Sequence, residues 1–218
     1  MLPRLATATV IALLALAPAS AQAGVEANAA TVTGETGLFS LLLNDDFPHR
    51  NRMALVTFTP DGGSTDLVIG DVAAGIDDPI PSICFRVDPN IIRCPLSTIH
   101  DVNIDLGAGN DTLSTSGFDA AVAQYWELAA RLGPGNDTAL GGPFPNLIYG
   151  GPGRDLIQGG PFNDRLFGGG QNDFLVGLAG RDLFQCGTGP DDRFNDGPGK
   201  DLVNVATCER RLHGNFVP

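Results

Sequence analysis

Aspartate recurs at a fixed step in the second half of this chain. From Asp137, steps of nine reach Asn146, Asp155, Asp164, Asp173 and Asp182; after one extra residue the step resumes at Asp192 and Asp201. Carboxylates can run acid–base hydrolysis or hold cations, and here the repeat itself accounts for them. Other catalytic constellations are missing: there is no HExxH and no GxSxG, and no Gly-Lys-Ser/Thr follows the glycine-rich turns. His49, His100 and His213 are scattered, and no CxxC spacing favours zinc. The expectation is a binding protein and not an enzyme.

A nine-residue unit fits six residues of turn and three of strand. Two positions after each aspartate stands an apolar or small residue: Ala139, Ile148, Ile157, Leu166, Leu175, Phe184, Phe194, Val203. Two units make one coil, which separates the apolar residues into two columns, Ala139, Ile157, Leu175, Phe194 and Ile148, Leu166, Phe184, Val203. The extra residue before Asp192 lengthens both columns' spacing once, as one bulged turn should. The fold class is therefore all-β, a two-sheet parallel solenoid with two nonapeptides per coil. Its aspartates stack about 4.8 Å apart, the spacing of adjacent strands. Unit charges about 5 Å apart repel by about 3 kcal/mol at an effective dielectric of 20. Such a column calls for counter-charge between its rungs. Ca²⁺ suits carboxylate plus backbone carbonyl, whereas Mg²⁺ prefers to keep its waters. The glycines allow turns that aim carbonyl oxygens between coils.

Gly150-Gly151-Pro152-Gly153-Arg154-Asp155 carries all four signature positions of G-G-x-G-x-D-x-U-x, where U is a large aliphatic. At these residues the chain resembles the RTX, or hemolysin-type, calcium-binding nonapeptide family. The resemblance covers roughly 103–205 and implies a right-handed parallel β-roll with Ca²⁺ between successive turns on one edge. The implied ligands are Asp137, Asp155, Asp173 and Asp192 on one edge and Asp164, Asp182 and Asp201 on the other, with carbonyls of the turns. Leu106–Leu113 reads as an earlier copy around Asp111. Several units depart from the pattern: Phe144, Phe162 and Gln171 at position 4, Leu178 at position 2, Cys186 and Asp196 at position 1, and the uncharged Asn146. Each departure is expected to cost a carbonyl orientation or a ligand. Arg154, Arg181 and Lys200, all at position 5, read as solvated side chains.

The rest of the chain sets the context. Among 218 residues, Gly 29 and Pro 16 are too much turn chemistry for a helical bundle, and no Gly-X-Y period suggests collagen. A net charge of −12 disfavours nucleic acid and anionic membrane surfaces as partners and favours cations. Residues 1–23, with Arg4, the apolar run Val10–Ala17 and small-residue cleavage sites, read as a signal peptide, too short for a membrane span. The mature protein is expected to be secreted and extracellular, where four cysteines pair. Folding about Asp88-Pro89-Asn90 sets Val87 opposite Ile91 and Cys84 opposite Cys94, and leaves Cys186 for Cys208. Residues 24–100 read as a β-rich segment, with strands near Leu38–Leu43, Met53–Phe58, Leu67–Ile69 and Ile83–Val87 and a hairpin signal at Asp61-Gly62-Gly63. The repeats fill 101–205, and 206–218 form a C-terminal cap. From Trp126 the order alternates, with Trp126, Leu128, Ala130 and Leu132 on one side and Glu127, Ala129 and Arg131 on the other, which predicts strand despite alanine-rich composition, with Trp126 in the core. The functional expectation is an extracellular calcium-binding repeat protein; the alternative is a secreted surface-structure or interaction module with little or no calcium.

Overall fold

A unit of nine residues cannot bury its apolar side chain alone, so each must pack against the coils on either side. The computed structural model describes residues 84–95, 97, 99–118, 127–204 and 206–212, with the earlier strands Val25–Glu26, Phe39–Asn44, Arg52–Phe58, Asp66–Asp71 and Ile76–Asp77. Successive strands of the repeat alternate between two sheets. One sheet stacks Ile99–Asp105, Leu128–Arg131, Asn146–Pro152, Arg165–Gly170, Leu183–Thr188 and Leu202–Val203, all parallel. The other stacks Thr112–Gly117, Thr138–Leu140, Leu156–Gln158, Phe174–Val176, Arg193–Asn195 and Arg210–Arg211, also parallel. This is the two-sheet parallel β-roll that the repeat predicts.

The register sets like on like. Ala139, Ile157, Leu175 and Phe194 are cross-strand partners in sequence, as are Ile148, Leu166, Phe184 and Val203. All but Phe194 and Val203 are wholly buried, and the columns meet in one continuous core. The extra residue can be placed. Gly189 still lies over the Gln171 carbonyl, eighteen residues back, whereas the Asp191 N–H reaches the Asn172 side chain, nineteen back. Pro190 is therefore the bulge, confined to a turn, and the strands on both sides keep their pairing.

Leu128–Arg131 is strand, with Leu128, Ala130 and Leu132 buried, so the alternation overrides alanine's helix propensity. Leu128 pairs with Asn146 on one side and Val102 on the other, which puts an apolar residue where later coils carry aspartate.

Both sheets continue into the N-terminal strands. Phe39–Asn44 pairs in parallel with Ile99–Asp105, a strand that crosses the compositional boundary at residue 100. Arg52–Phe58 pairs in parallel with Thr112–Gly117. Arg52–Phe58 and Asp66–Asp71 are antiparallel, the turn expected at Asp61-Gly62-Gly63 lies outside the described residues, and Ile91–Pro95 and Phe85–Asp88 follow at the edge. Both disulfides form as the spacing suggested, Cys84–Cys94 and Cys186–Cys208. One pairing differs. Asp88, not Val87, stands opposite Ile91, because the turn is confined to Pro89 and Asn90 and Val87 is bulged out. The Asn90 N–H donates to the Asp88 carboxylate at 2.7 Å, which tightens that turn. No helix among the described residues is long and apolar enough to cross a membrane. The expectations for residues 1–23, His49, Trp126, His213 and the last six residues lie outside the described residues, as does the side chain of His100.

Candidate metal centre

Side chains at two positions of the repeat stitch neighbouring coils, in opposite directions. Position 6 reaches back. The Oδ1 of Asp137 accepts the Asp111 N–H, that of Asp155 the Asp137 N–H, that of Asp173 the Asp155 N–H, and that of Asp192 the Asp173 N–H, all at 2.7–2.9 Å. The second ladder repeats this, from Asp164 to Asn146, Asp182 to Asp164, and Asp201 to Asp182. Position 5 reaches forward, where Asn110, Asn136 and Asn163 accept the N–H of Asn136, Arg154 and Arg181. Arg154, Arg181 and Lys200 are themselves exposed, as read from the sequence.

The other carboxylate oxygen tells more. The Oδ2 atoms of Asp137, Asp155, Asp173, Asp182 and Asp192 are buried and have no hydrogen-bond partner. A buried acceptor without a donor costs about 1–3 kcal/mol, and more if charged. Glycine backbone lies beside the Oδ2 atoms of Asp155, Asp173 and Asp182. A Cβ on Gly150 would lie 2.4 Å from the Asp155 Oδ2, so position 1 must lack a side chain there. Carbonyls of positions 2 and 4 point into the next coil: a Cβ on Gly151 would meet the Gly133 oxygen, and one on Gly153 would sit 1.4 Å from the Gly135 oxygen. Each step of the ladder thus gathers two carboxylates and two outward-turned carbonyls, all oxygen. Among the described residues no three His, Cys, Asp or Glu side chains converge, so side chains alone do not make a site; the backbone supplies the rest.

Burial disfavours the charged form of these acids. It raises the carboxyls of Asp155, Asp173 and Asp182 from 3.8 to about 7 and that of Asp137 to about 6, with neighbouring rungs pushing Asp155, Asp173 and Asp182 further. Asp164 and Asp192 are raised for the same first cause.

Asn146 shows what the cradle accepts. It is buried, and its Nδ2 donates to the carbonyls of Gly142 (3.2 Å) and Phe144 (2.7 Å), at positions 2 and 4 of its own turn, and to Asp164 Oδ1 (2.9 Å). An electropositive NH₂ group thus occupies the point where two carbonyls and the next carboxylate meet. The seat fits a hard cation. On that coil the Asp164 carboxylate is bonded through both oxygens, the second to the Gly160 N–H at 2.6 Å.

A family model described as the RTX calcium-binding nonapeptide repeat (4 copies) matches residues 132–165 and 149–184. These are RTX-type nonapeptide repeats. Curated proteins and solved structures give no match. The matched RTX residues include Asp137, Asn146, Asp155, Asp164, Asp173 and Asp182; Asp111, Asp192 and Asp201 lie outside them, yet stand in the same ladders. The departures from the RTX pattern keep their carbonyls aimed between coils, contrary to expectation. Phe144 O accepts from Asn146, Phe162 O faces Gly180, Gln171 O faces Gly189 and Leu178 O faces Gly197. The penalty falls on backbone conformation instead, since Gln171 (φ 73°) and Leu178 (φ 70°) hold the left-handed turn without being glycine. Phe144 is taken up by the core, edge-on to Phe118 with centroids 5.0 Å apart. Of the first-position changes, Cys186 is in a disulfide and Asp196 pairs with Arg211. Two further residues belong to the ladders beside the implied ligands. Asp111, whose copy was visible, heads the first ladder. Glu209 extends it, accepting the Asp192 N–H at 3.0 Å; no glycine-rich approach marks it, and it falls seventeen residues after Asp192, off the period.

Proposed function

We propose that this chain is an extracellular protein whose β-roll takes up Ca²⁺ between stacked turns and is stabilised by it. The five buried, partnerless Asp Oδ2 atoms carry this reading, because nothing but a cation or a proton can offset them there. On the first ladder, Asp137 with Asp155, Asp155 with Asp173, and Asp173 with Asp192 would hold ions; on the second, Asp164 with Asp182 and Asp182 with Asp201. Carbonyls of Gly133, Gly135, Gly151 and their counterparts complete each set. Bound there, Ca²⁺ supplies positive charge and roughly six to eight coordination positions for oxygen. The chain's own contribution is to hold the carboxylates in register, exclude water from their inner oxygens and bury the apolar columns beneath them. Two disulfides and the repeat family support secretion. The ladders account for the acidic residues without a catalytic role, so we read the protein as a binding and structural module. Modules exposed to extracellular calcium typically bind with Kd about 10⁻⁴–10⁻³ M. Isothermal titration with CaCl₂ tests the reading. Wild type should release heat of binding, and Asp155→Ala and Asp173→Ala should each lose sites. Chelator should lower the melting midpoint; a wild-type protein with no binding heat and an unchanged melt overturns the proposal.

A further inference from the structure

The first ladder does not stop at the last repeat aspartate. Asp192 is fully buried, and its Oδ2 is one of the partnerless oxygens. Its N–H is met by the Oε2 of Glu209, the role that Asp192 Oδ1 plays for Asp173 one coil earlier. The backbone agrees: Arg210 pairs with Arg193, and its N–H donates to the Asp192 carbonyl at 3.0 Å, so Glu209 stands in register over Asp192. Gly187 and Gly189, in the Asp192 turn, hold the register positions of Gly169 and Gln171 beneath them. Glu209 is brought there by its neighbour, because Cys208 is bonded to Cys186 at the start of that turn, and the Cys186 N–H donates to the Cys208 sulfur.

We infer that Asp192 and Glu209 form a terminal Ca²⁺ site outside the nonapeptide pattern, kept in shape by the Cys186–Cys208 disulfide. This rests on the calcium reading of the ladders. The disulfide makes the last site conditional on oxidation, while the inner steps depend only on the repeat.

The experiment counts Ca²⁺ on the full oxidised chain by equilibrium dialysis against CaCl₂. Glu209→Gln keeps an oxygen to accept the Asp192 N–H but removes the charge, so the fold should survive. We expect one ion fewer than wild type, or one ion bound at least tenfold more weakly, with the remaining sites within twofold. The double variant Cys186→Ser/Cys208→Ser should lose the same ion, and adding Glu209→Gln to it should remove nothing further. Glu209→Gln with the wild-type count and affinity overturns the inference, as does a double variant whose loss is additive with that of Glu209→Gln. A wild type that binds no Ca²⁺ overturns the reading of the ladders itself. If the double variant fails to fold, Glu209→Gln alone decides.

Discussion

The amide of Asn146 and the carboxylates of its neighbours show how one atom decides what a turn requires. Nδ2 donates to Gly142, Phe144 and Asp164, so that coil is satisfied without metal. Asn146→Asp exchanges three donated hydrogen bonds for a buried charge. We expect the variant to lose about 3 kcal/mol in chelator, measured by urea denaturation, and to gain one bound Ca²⁺ by titration. Asp155→Asn is the mirror case. Its amide oxygen still accepts the Asp137 N–H, and its nitrogen can reach the carbonyls of its own turn. The metal-free protein should therefore become more stable while calcium stoichiometry falls, read from the same two measurements. Leu178 and Gln171 teach a separate lesson. Each holds a left-handed backbone that costs a non-glycine residue roughly 1–2 kcal/mol. Leu178→Gly should raise stability by about 1 kcal/mol in urea denaturation, since the Leu178 side chain is more than a third exposed and little packing is lost.

At the scale of strands and turns, the period made most of the fold legible. Apolar residues at position 8 and acids at position 6 fix the sheet registers, and the one-residue insertion identifies itself by shifting both columns together. What the period could not reveal was set by contacts distant in sequence. Glu209 joins the ladder because a disulfide across 22 residues carries it there, not because any local pattern marks it. Val87 is bulged because Asp88 closes the turn with its own side chain. The N-terminal strands were recognisable by alternation, but strand order depends on which edge of the roll is open to receive them, and no local pattern encodes that. Nor could the sequence tell that Phe162, Gln171 and Leu178 would keep their carbonyls aimed at the coil above, with Gln171 and Leu178 held in a left-handed backbone.

Over the whole molecule, proton and calcium compete for the same oxygens. Burial raises Asp137 to about 6 and Asp155, Asp173 and Asp182 to about 7, above the 3.8 of an exposed carboxyl. Between about pH 4 and 7 the folded, metal-free protein thus holds protons that the unfolded chain releases. Stability from these groups is fully present below pH 4 and is lost as pH rises through 7. Melting in chelator should give a higher midpoint at pH 5 than at pH 8. In saturating CaCl₂ the order should reverse, because calcium needs the deprotonated form. The two sheets also have ends. Among the described residues they finish in the two-residue strands Leu202–Val203 and Arg210–Arg211, the second paired to Asp196 and flanked by exposed guanidinium groups. Two stacked sheets with open rims are natural seeds for fibres. At this end each sheet closes on a strand of only two residues, which offers an arriving strand few free N–H and C=O groups, although the interior is built like a fragment of a filament.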